Sequence, residues 1–343
     1  MIAGMAHSLE LLQELVNVPA PPGQESALAD HVMDKVRELG WSPETDAKGN
    51  VLVRVGEGEK PKIVVTAHLD EIALMVKAIF RDGSLQVTNL GGLHPWKWGE
   101  TPVEIMATNP LPGVLSFGSV HTESRDSEIV RARTRALEWS DARVFTGRAP
   151  ESLTTLGVRP GTRVAMARSR RGLTKVGEYV SGYFLDDRAD LAAWLILLER
   201  LKENPPTTPI LFAATVSEEV GGHGALYVLQ DLKPDICIAL ELGPIVPDSP
   251  AMLSPVPTVW ANDSYAAADS RDMDILAGLG QEVQFQVLSR GGSDASCAAS
   301  HGLCARPVTL GIPMENTHGY EIIHRHGIDK LVDLTLAYLS AVV

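Results

Sequence analysis

The chain of 343 residues has little cysteine and no long hydrophobic run. Its three cysteines, Cys237, Cys297 and Cys304, cannot all pair, which argues against a disulfide-rich scaffold and favours a reducing compartment. The longest apolar run, Leu191 to Leu198, is too short to span a bilayer. The first residues carry no basic stretch before an apolar segment, so we expect no signal peptide and a cytoplasmic protein.

Basic residues are also fewer than acidic residues. The chain has 30 Lys and Arg against 43 Asp and Glu, a net charge of −13, which argues against nucleic acid and anionic membranes as partners. Hydrophobic residues make up 45% and charged residues 21%, as in ordinary globular proteins, so intrinsic disorder is excluded. The length predicts about two domains.

The charge is unevenly distributed along the chain. Residues 76–171 hold 14 basic and 9 acidic residues, whereas the remainder holds 16 and 34. The same segment contains short β-prone pieces between Gly and Pro turns, which predicts a small β-barrel or β-sandwich. We therefore predict an α/β domain formed by residues 1–75 and 172–343, interrupted by a β domain at 76–171. The alternative is ordinary variation of surface charge within one unit.

Hydrophobic periodicity predicts the elements of the α/β domain. We expect helices at 8–16, 25–39, 188–202, 224–229, 293–300 and 328–342, and strands at 50–55, 62–68, 210–216, 236–240, 283–287 and 307–311. In the insertion we expect strands at 85–87, 103–106, 113–117 and 163–166. Asp187 is predicted to cap the helix that begins at Arg188.

Polar residues of metal-binding types follow the predicted strands or precede a helix. They are His68, Asp70, Asp186, Asp187, Glu218, Glu219, Glu241 and His318. Ligands bind beyond the carboxyl ends of strands in open α/β sheets, so these side chains should meet in one crevice. Imidazoles with carboxylates suit zinc, cobalt or manganese, and no cysteine falls at a candidate ligand position.

A site for two metals needs a bridging carboxylate and a general base. Of the adjacent pair Glu218 and Glu219, one side chain can bind metal while the other takes the proton. Consecutive carboxylates after a buried strand are costly unless they are paired, which favours a functional role.

Each motif also has a purely structural interpretation. His68-Leu-Asp-Glu could be a hydrogen-bonded turn, Asp186-Asp-Arg a helix cap with a local ion pair, and Ser217 to Gly224 a polar loop. His324 and His326 compete with His318 as ligands. The coincidence of five such features at strand ends favours the metal site.

Three further features receive other interpretations. His223 lies in a Gly-rich turn and is expected to serve the loop or contact substrate. His121 lies in the insertion and could reach a site only across an oligomer. Gly291-Gly-Ser-Asp-Ala lacks the Lys and spacing of a phosphate-binding loop, so we expect it to be structural or to line the substrate site.

Taken together, four motifs resemble those of the tetrahedral (TET) or glutamyl aminopeptidase family, whose members are also described as endoglucanases. They are Thr66-Ala-His-Leu-Asp-Glu, Leu185-Asp-Asp-Arg, Ser217-Glu-Glu-Val-Gly-Gly-His-Gly and Gly291-Gly-Ser-Asp-Ala, in the family's order along nearly the whole chain. The resemblance implies a three-layer α/β/α metallopeptidase domain, an inserted β-barrel used in subunit contacts, two co-catalytic metal ions and assembly into dodecamers.

The resemblance also implies roles for single residues. His68 and Glu241 would bind one metal, Glu219 and His318 the other, and Asp186 would bridge both. Glu218 would be the general base, and Asp70 would orient His68. The chain differs from the family by having Glu241 where Asp is usual, Met314-Glu-Asn-Thr before the histidine in place of an Arg-Tyr pair, and Gly319 in place of Ser.

We therefore expect an aminopeptidase that hydrolyses the N-terminal amide bond of a peptide or peptide-like compound, with zinc or cobalt, or else manganese, as its two ions. The alternatives are a deacylase or amidase that uses the same metals, and a catalytically silent scaffold protein of the same fold. Sugar hydrolysis is the weakest alternative, because it usually needs two carboxylates without metals.

Overall fold

The computed structural model describes residues 2–58 and 60–343, with side chains from His7 onward. The first elements are α1 Ile2–Val16, α2 Ser26–Glu38, β1 Glu44–Thr45, β2 Val51–Val55 and β3 Ile63–His68. Next come β4 Ala73–Ile79, β5 Leu85–Leu90, α3 Pro95–Trp98, β6 Thr101–Ile105, β7 Leu111–Ser116, α4 Glu128–Arg131, β8 Arg143–Phe145, α5 Pro150–Thr155 and β9 Arg163–Met166. The chain continues with β10 Thr174–Val176, β11 Tyr179–Gly182, α6 Leu185–Glu203, β12 Ile210–Thr215, α7 His223–Leu232, β13 Ile236–Pro244, β14 Thr258–Asn262, α8 Ser270–Gly278, β15 Gln284–Val287, α9 Asp294–Ser300, β16 Arg306–Glu315, β17 Glu321–His324 and α10 Gly327–Val342.

A mixed β-sheet forms the middle layer of the larger domain. Its strand order is β1-β2-β12-β3-β13-β16-β17-β11-β10, with β14 and β15 attached beside β16. The central strands β12, β3, β13 and β16 are parallel. Because they are buried on both faces, their sequences are nearly continuous apolar runs, which is why they were predictable.

Helices cover both faces of this sheet. Alternate side chains of a strand point to opposite faces. In β3, Ile63, Val65 and Ala67 join a core with α1, α2, α6 and α10, whereas Val64 joins a second core with α7 and α9. The predicted three-layer α/β/α domain is confirmed.

The inserted segment forms a closed six-stranded antiparallel barrel in the order β4-β5-β8-β7-β6-β9. Its own apolar core contains Leu74, Leu85, Leu115, Val144 and Val164 among other residues. The predicted inserted β-barrel is confirmed. Its first strand begins at Ala73, and the division at 75/76 and 171/172 stays a prediction.

The predicted helix cap at Asp187 is wrong. Helix α6 is assigned from Leu185, but Asp186 and Asp187 have non-helical backbone angles, so the regular helix begins at Arg188 as predicted. The Asp187 side chain does not cap it, because its Oδ1 has no hydrogen-bond partner within the described residues. Asp187 Oδ2 instead accepts a hydrogen bond from the His68 main-chain N–H at 2.8 Å. Strands β1, β4, β8, β10, β11, β14 and β17 and helices α3, α4, α5 and α8 were not predicted. No helix in the described part of the chain is long and apolar enough to cross a membrane.

Candidate metal centre

The residues singled out at the ends of the strands meet at the carboxyl edge of the central sheet. His68 is the last residue of β3 and lies opposite Thr215 at the end of β12. Glu218 and Glu219 follow β12, and Glu241 lies in β13. The parallel register therefore brings these side chains to one place. Asp186 joins them from the start of α6, and His318 from the turn between β16 and β17.

Two overlapping groups of side chains have the spacing of metal ligands. The first contains His68, Asp186, Asp187 and Glu241, and the second contains Asp186, Glu219 and His318. Within each group, one ligand atom per residue lies within 4.8 Å of all the others. Asp186 is common to both groups, which is the arrangement that a bridging carboxylate requires.

Asp187 belongs to the first group, although the family resemblance implied no ligand role for it. Its Oδ1 is buried and has no hydrogen-bond partner within the described chain. The two consecutive aspartates in the sequence could have indicated that Asp187 is also a candidate ligand.

Both histidines are held by a main-chain carbonyl. His68 Nδ1 lies 3.0 Å from the carbonyl oxygen of Asp70, and His318 Nδ1 lies 3.1 Å from that of Gly92. A carbonyl only accepts, so each Nδ1 carries the proton and each Nε2 is free to bind a metal. His68 Nε2 lies 3.1 Å from Asp186 Oδ1, and His318 Nε2 lies 3.4 Å from Asp186 Oδ2.

Asp70 supports two parts of the site. Its carbonyl holds His68, and its carboxylate lies 3.6 Å from His68 Nδ1. The carboxylate accepts hydrogen bonds from the main-chain N–H groups of Glu218 at 2.9 Å and Glu219 at 3.1 Å. Asp70 thus connects the end of β3 to the glutamate pair.

Glu321 is a supporting residue that sequence reasoning missed. It is buried, and its carboxylate accepts from the main-chain N–H of Asp186 at 3.1 Å and of His318 at 2.8 Å. It lies on β17, a four-residue strand with no recognisable motif. Only the tertiary structure shows that Glu321 supports the site.

A buried cluster of charged side chains stabilises the turn after β3. Arg188 Nη1 donates to the carbonyl oxygens of Leu69 at 2.7 Å and Asp70 at 3.2 Å. Arg188 and Arg171 both pair with Glu71, and all three side chains are fully buried. Because buried charges are costly unless they are paired, this cluster fixes the turn that presents His68.

Without cations, burial and the neighbouring carboxylates disfavour the charged forms of the glutamates in this site. Burial raises the pKa of Glu218 and Glu241 well above the usual range, and that of Glu219 to about 7. Burial alone would lower the pKa of His68, but the carboxylates of Asp187, Asp186 and Asp70 raise it well above its ordinary value. Buried carboxylate oxygens without a hydrogen-bond partner among the described residues, such as Glu219 Oε1, fit bound cations.

An open cleft of about 480 Å³ leads to these carboxylates. Its walls include the apolar side chains of Leu242, Val246 and Trp260, and its lining includes Tyr265 and Arg290. Gly291 and Gly292 also line it, so the loop read as structural or substrate-lining does border the cleft. A space of this size is typical of sites for small ligands.

The remaining histidines lie outside both ligand groups. His223 begins α7 and is exposed, and His121 is exposed between β7 and α4. His324 and His326 are half-buried beside each other, with ring centroids 5.4 Å apart. Within the described residues, only His68 and His318 are histidines of a candidate metal centre.

Comparison with known proteins gives consistent matches. A family model described as M42 glutamyl aminopeptidase matches residues 49–334. Lysyl aminopeptidase of Pyrococcus furiosus and glutamyl aminopeptidase of Lactococcus lactis are 27% and 26% identical over 237 residues, 68% of this chain. The chain spans 66% of the length of each, just under two thirds. The solved TET1 peptidase of Pyrococcus horikoshii is 25% identical, with a TM-score of 0.84 over 96% of this chain and 98% of that one.

The matched segment includes all candidate ligands and the whole barrel, and the fold matches along nearly the entire chain. The chain therefore belongs to the M42 glutamyl aminopeptidase family.

Proposed function

We propose that this protein is a metallo-aminopeptidase that hydrolyses the N-terminal amide bond of peptides or small peptide-like compounds. The observation that carries the proposal is the pair of ligand groups that share Asp186, with Glu218 beside them in the same cleft. The activities named for the Pyrococcus and Lactococcus relatives support the same reaction class.

Two divalent ions would occupy the site. His68, Asp186 and Glu241 would hold one, and Asp186, Glu219 and His318 the other, with Asp187 close to the first. Imidazole nitrogens and carboxylate oxygens favour zinc or cobalt, with manganese also compatible. When bound, two such ions polarise the scissile carbonyl and activate a water molecule.

Glu218 is the general base in this proposal. It lines the cleft and belongs to neither ligand group. Burial raises the pKa of this carboxyl above the usual range, in the direction that makes it a stronger base. Glu218 would take a proton from the attacking water and deliver it to the leaving amine. Asp70 would act as a positioning residue through the main-chain N–H of Glu218.

Self-association through the barrel completes the proposal. The TET1 peptidase of Pyrococcus horikoshii can assemble into a tetrahedron or a large octahedral shell. The present barrel exposes the large apolar side chains of Phe80, Val114 and Phe145, which fits a contact with further copies and possible dodecamers. A cytoplasmic location stays our prediction from the three unpaired cysteines.

Metal analysis and a substrate screen test the function together. The full chain is purified, its metal content is measured, and dipeptide amides with a free or an acylated N-terminus are supplied as matched pairs. We expect hydrolysis of the free-amine set only, its loss on chelation, and recovery with zinc, cobalt or manganese. Activity restricted to the acylated set would favour the deacylase or amidase. Two bound ions without turnover of either set would favour the scaffold protein.

A further inference from the structure

One segment of the inserted barrel lies directly against the candidate metal centre. The chain leaves β5 at Leu90 and passes Glu219 and His318 before it enters α3. The carbonyl oxygen of Gly92 accepts the hydrogen bond from His318 Nδ1 at 3.1 Å. Trp139, in the same inserted domain, donates from Nε1 to the carbonyl of Leu93 at 2.9 Å and so fixes the segment to the barrel.

The approach of this segment depends on the absence of side chains. A Cβ added at Gly92 would lie 2.8 Å from His318 Nδ1 and 2.9 Å from Cε1. A Cβ at Gly91 would lie 2.9 Å from Glu219 Oε2. Gly92 is not in the left-handed region, so its backbone conformation does not require glycine. The contact with the imidazole is the reason that glycine is needed there.

The loop that carries His318 is held from both domains. Asn316 and His318 have φ values of +68° and +58°, which non-glycine residues adopt only when their surroundings enforce them. From the α/β domain, Glu321 accepts from the main-chain N–H of His318. From the barrel, Lys97 Nζ donates to Asn316 Oδ1 at 2.9 Å.

We propose that Gly92 and Lys97 of the inserted domain are positioning residues of the metal centre. They turn His318 so that its Nε2 faces Asp186 and Glu219. The inference rests on the proposed function, because it assumes that His318 and Glu219 hold a metal ion. The inserted domain then contributes to catalysis as well as to self-association.

The two metal positions should depend unequally on the barrel. Within the described chain, the hydrogen bonds of the His68 side chain are made with Asp70 and Asp186, both outside the barrel. His318 alone relies on a carbonyl from the insertion. Disturbing the segment around Gly92 should therefore weaken the ion at His318 and Glu219 and spare the ion at His68 and Glu241.

Metal titration of full-length variants tests this difference. Gly92→Ala adds one methyl group against the imidazole, and Lys97→Met removes the ammonium but keeps an unbranched side chain. Gly172→Ala is the matched control, because Gly172 is exposed, is not left-handed, and an added Cβ there meets no described atom within 4 Å. Metal-free protein is titrated with cobalt by calorimetry, and circular dichroism verifies folding.

We expect the unchanged protein and Gly172→Ala to bind two ions. Gly92→Ala should bind one ion normally and the second about 10–100-fold more weakly, the usual cost of losing a group that supports a ligand. Lys97→Met should weaken the same ion to a smaller degree. Two ions of normal affinity in Gly92→Ala, or equal weakening of both ions, would overturn the inference.

The outcomes separate this inference from the proposed function. If the unchanged protein binds no cobalt, the metal centre itself is wrong. If Gly92→Ala does not fold, Lys97→Met decides, and normal affinity for both ions in that variant would overturn the role of the barrel.

Discussion

At the residue scale, the proposed chemistry depends on two adjacent glutamates with different surroundings. Glu219 Oε1 lies 3.5 Å from His318 Nε2 and belongs to a ligand group, whereas Glu218 belongs to neither group. Asp70 accepts hydrogen bonds from the main-chain N–H of both residues, which fixes the loop that carries the two side chains. The family resemblance implies that Glu218 is the base and Glu219 a ligand, and the grouping of Glu219 with His318 and Asp186 supports that proposal.

Replacing Glu218 by Gln should separate proton transfer from metal binding. Glu218→Gln keeps the size of the side chain but removes the base, so kcat should fall by about 10²–10⁴-fold while two ions remain bound. Glu219→Gln is the matched comparison and should lose one ion. Steady-state kinetics and metal analysis measure both effects. Loss of an ion from Glu218→Gln would mean that the two roles are reversed.

Glu241 is expected to bind metal although the family resemblance associates this position with Asp. It is buried at the site edge, its Oε1 accepts from the main-chain N–H of Leu242 at 2.9 Å, and it groups with His68. Glu241→Ala should therefore weaken the ion at His68 by more than the roughly 10–100-fold cost of losing an outer supporting residue. Glu241→Asp should retain this ion better, since a carboxylate remains.

Calorimetric titration with cobalt gives the affinities of both ions in the two Glu241 variants. The affected ion is the opposite one from that expected for Gly92→Ala, so each variant serves as the control for the other. Two ions of normal affinity in Glu241→Ala would reduce Glu241 to a structural residue.

At the scale of elements, buried parallel strands were the predictable part of the fold. Their continuous apolar runs differ clearly from the alternating pattern of a half-exposed strand. The candidate ligand residues at their ends form recognisable motifs. Most of the strands that were not predicted are too short to show a clear apolar pattern. All three residues of β10 are exposed, and β11 and β17 are only four residues long and pair with each other although they are far apart in sequence. Short strands of this kind are stabilised by distant partners rather than by their own sequence.

The same reasoning explains which parts of the site escaped prediction. Glu321 lies on one of those short strands. Gly92 is 226 positions from His318 in sequence, and it contributes a carbonyl oxygen that every residue type possesses. Main-chain groups carry no residue signature, so only the fold reveals them. Side-chain ligands at strand ends were accessible from sequence because their chemistry depends on residue type.

The turn at residues 138–141, whose Trp139 donates a hydrogen bond to the carbonyl of Leu93, should lose stability in acid. Asp141 is buried and accepts from both Arg135 Nη1 at 2.7 Å and Nη2 at 2.8 Å, and from the main-chain N–H of Glu138 at 3.0 Å. The Arg135 guanidinium lowers the pKa of Asp141 to about 2. A lowered folded pKa adds stability above the unfolded value of about 4, and this stability is lost as the pH falls from about 4 towards 2.

Asp141→Asn should lower the free energy of unfolding at pH 7 by up to about 1 kcal/mol, the usual worth of an ion pair with a solvent-exposed partner, because Arg135 is exposed. It should also reduce the loss of stability between pH 4 and pH 2. Urea unfolding across this pH range measures both effects. Asp126→Asn, at an exposed carboxylate of the same segment, is the control and should leave the pH profile unchanged.

For the whole molecule, the uneven charge and the apolar barrel surface point to the same mode of assembly. The insertion has 14 basic against 9 acidic residues, and the remainder 16 against 34, so unlike patches on neighbouring copies would attract. Val114 and Phe145 are paired across β7 and β8, and their side chains are 46% and 59% exposed. Large apolar side chains grouped on one surface are typical of an interface.

Deleting the insertion would not test this assembly cleanly, because the deletion also removes Gly92 and Lys97 from the metal centre. A surface substitution avoids that problem. Phe145→Asp should shift the protein to smaller species in sedimentation velocity, and higher salt should shift the unchanged protein in the same direction because it screens the unlike charges. Tyr227→Asp, at an exposed aromatic residue on α7 of the α/β domain, is the matched control and should leave the species unchanged.

Because Phe145 lies on the barrel strand β8 rather than in the segment that contacts His318, Phe145→Asp should still bind two ions. A smaller species with both ions would separate the structural role of the barrel in assembly from its role at the metal centre, whereas an unchanged assembly would exclude this barrel surface as the contact.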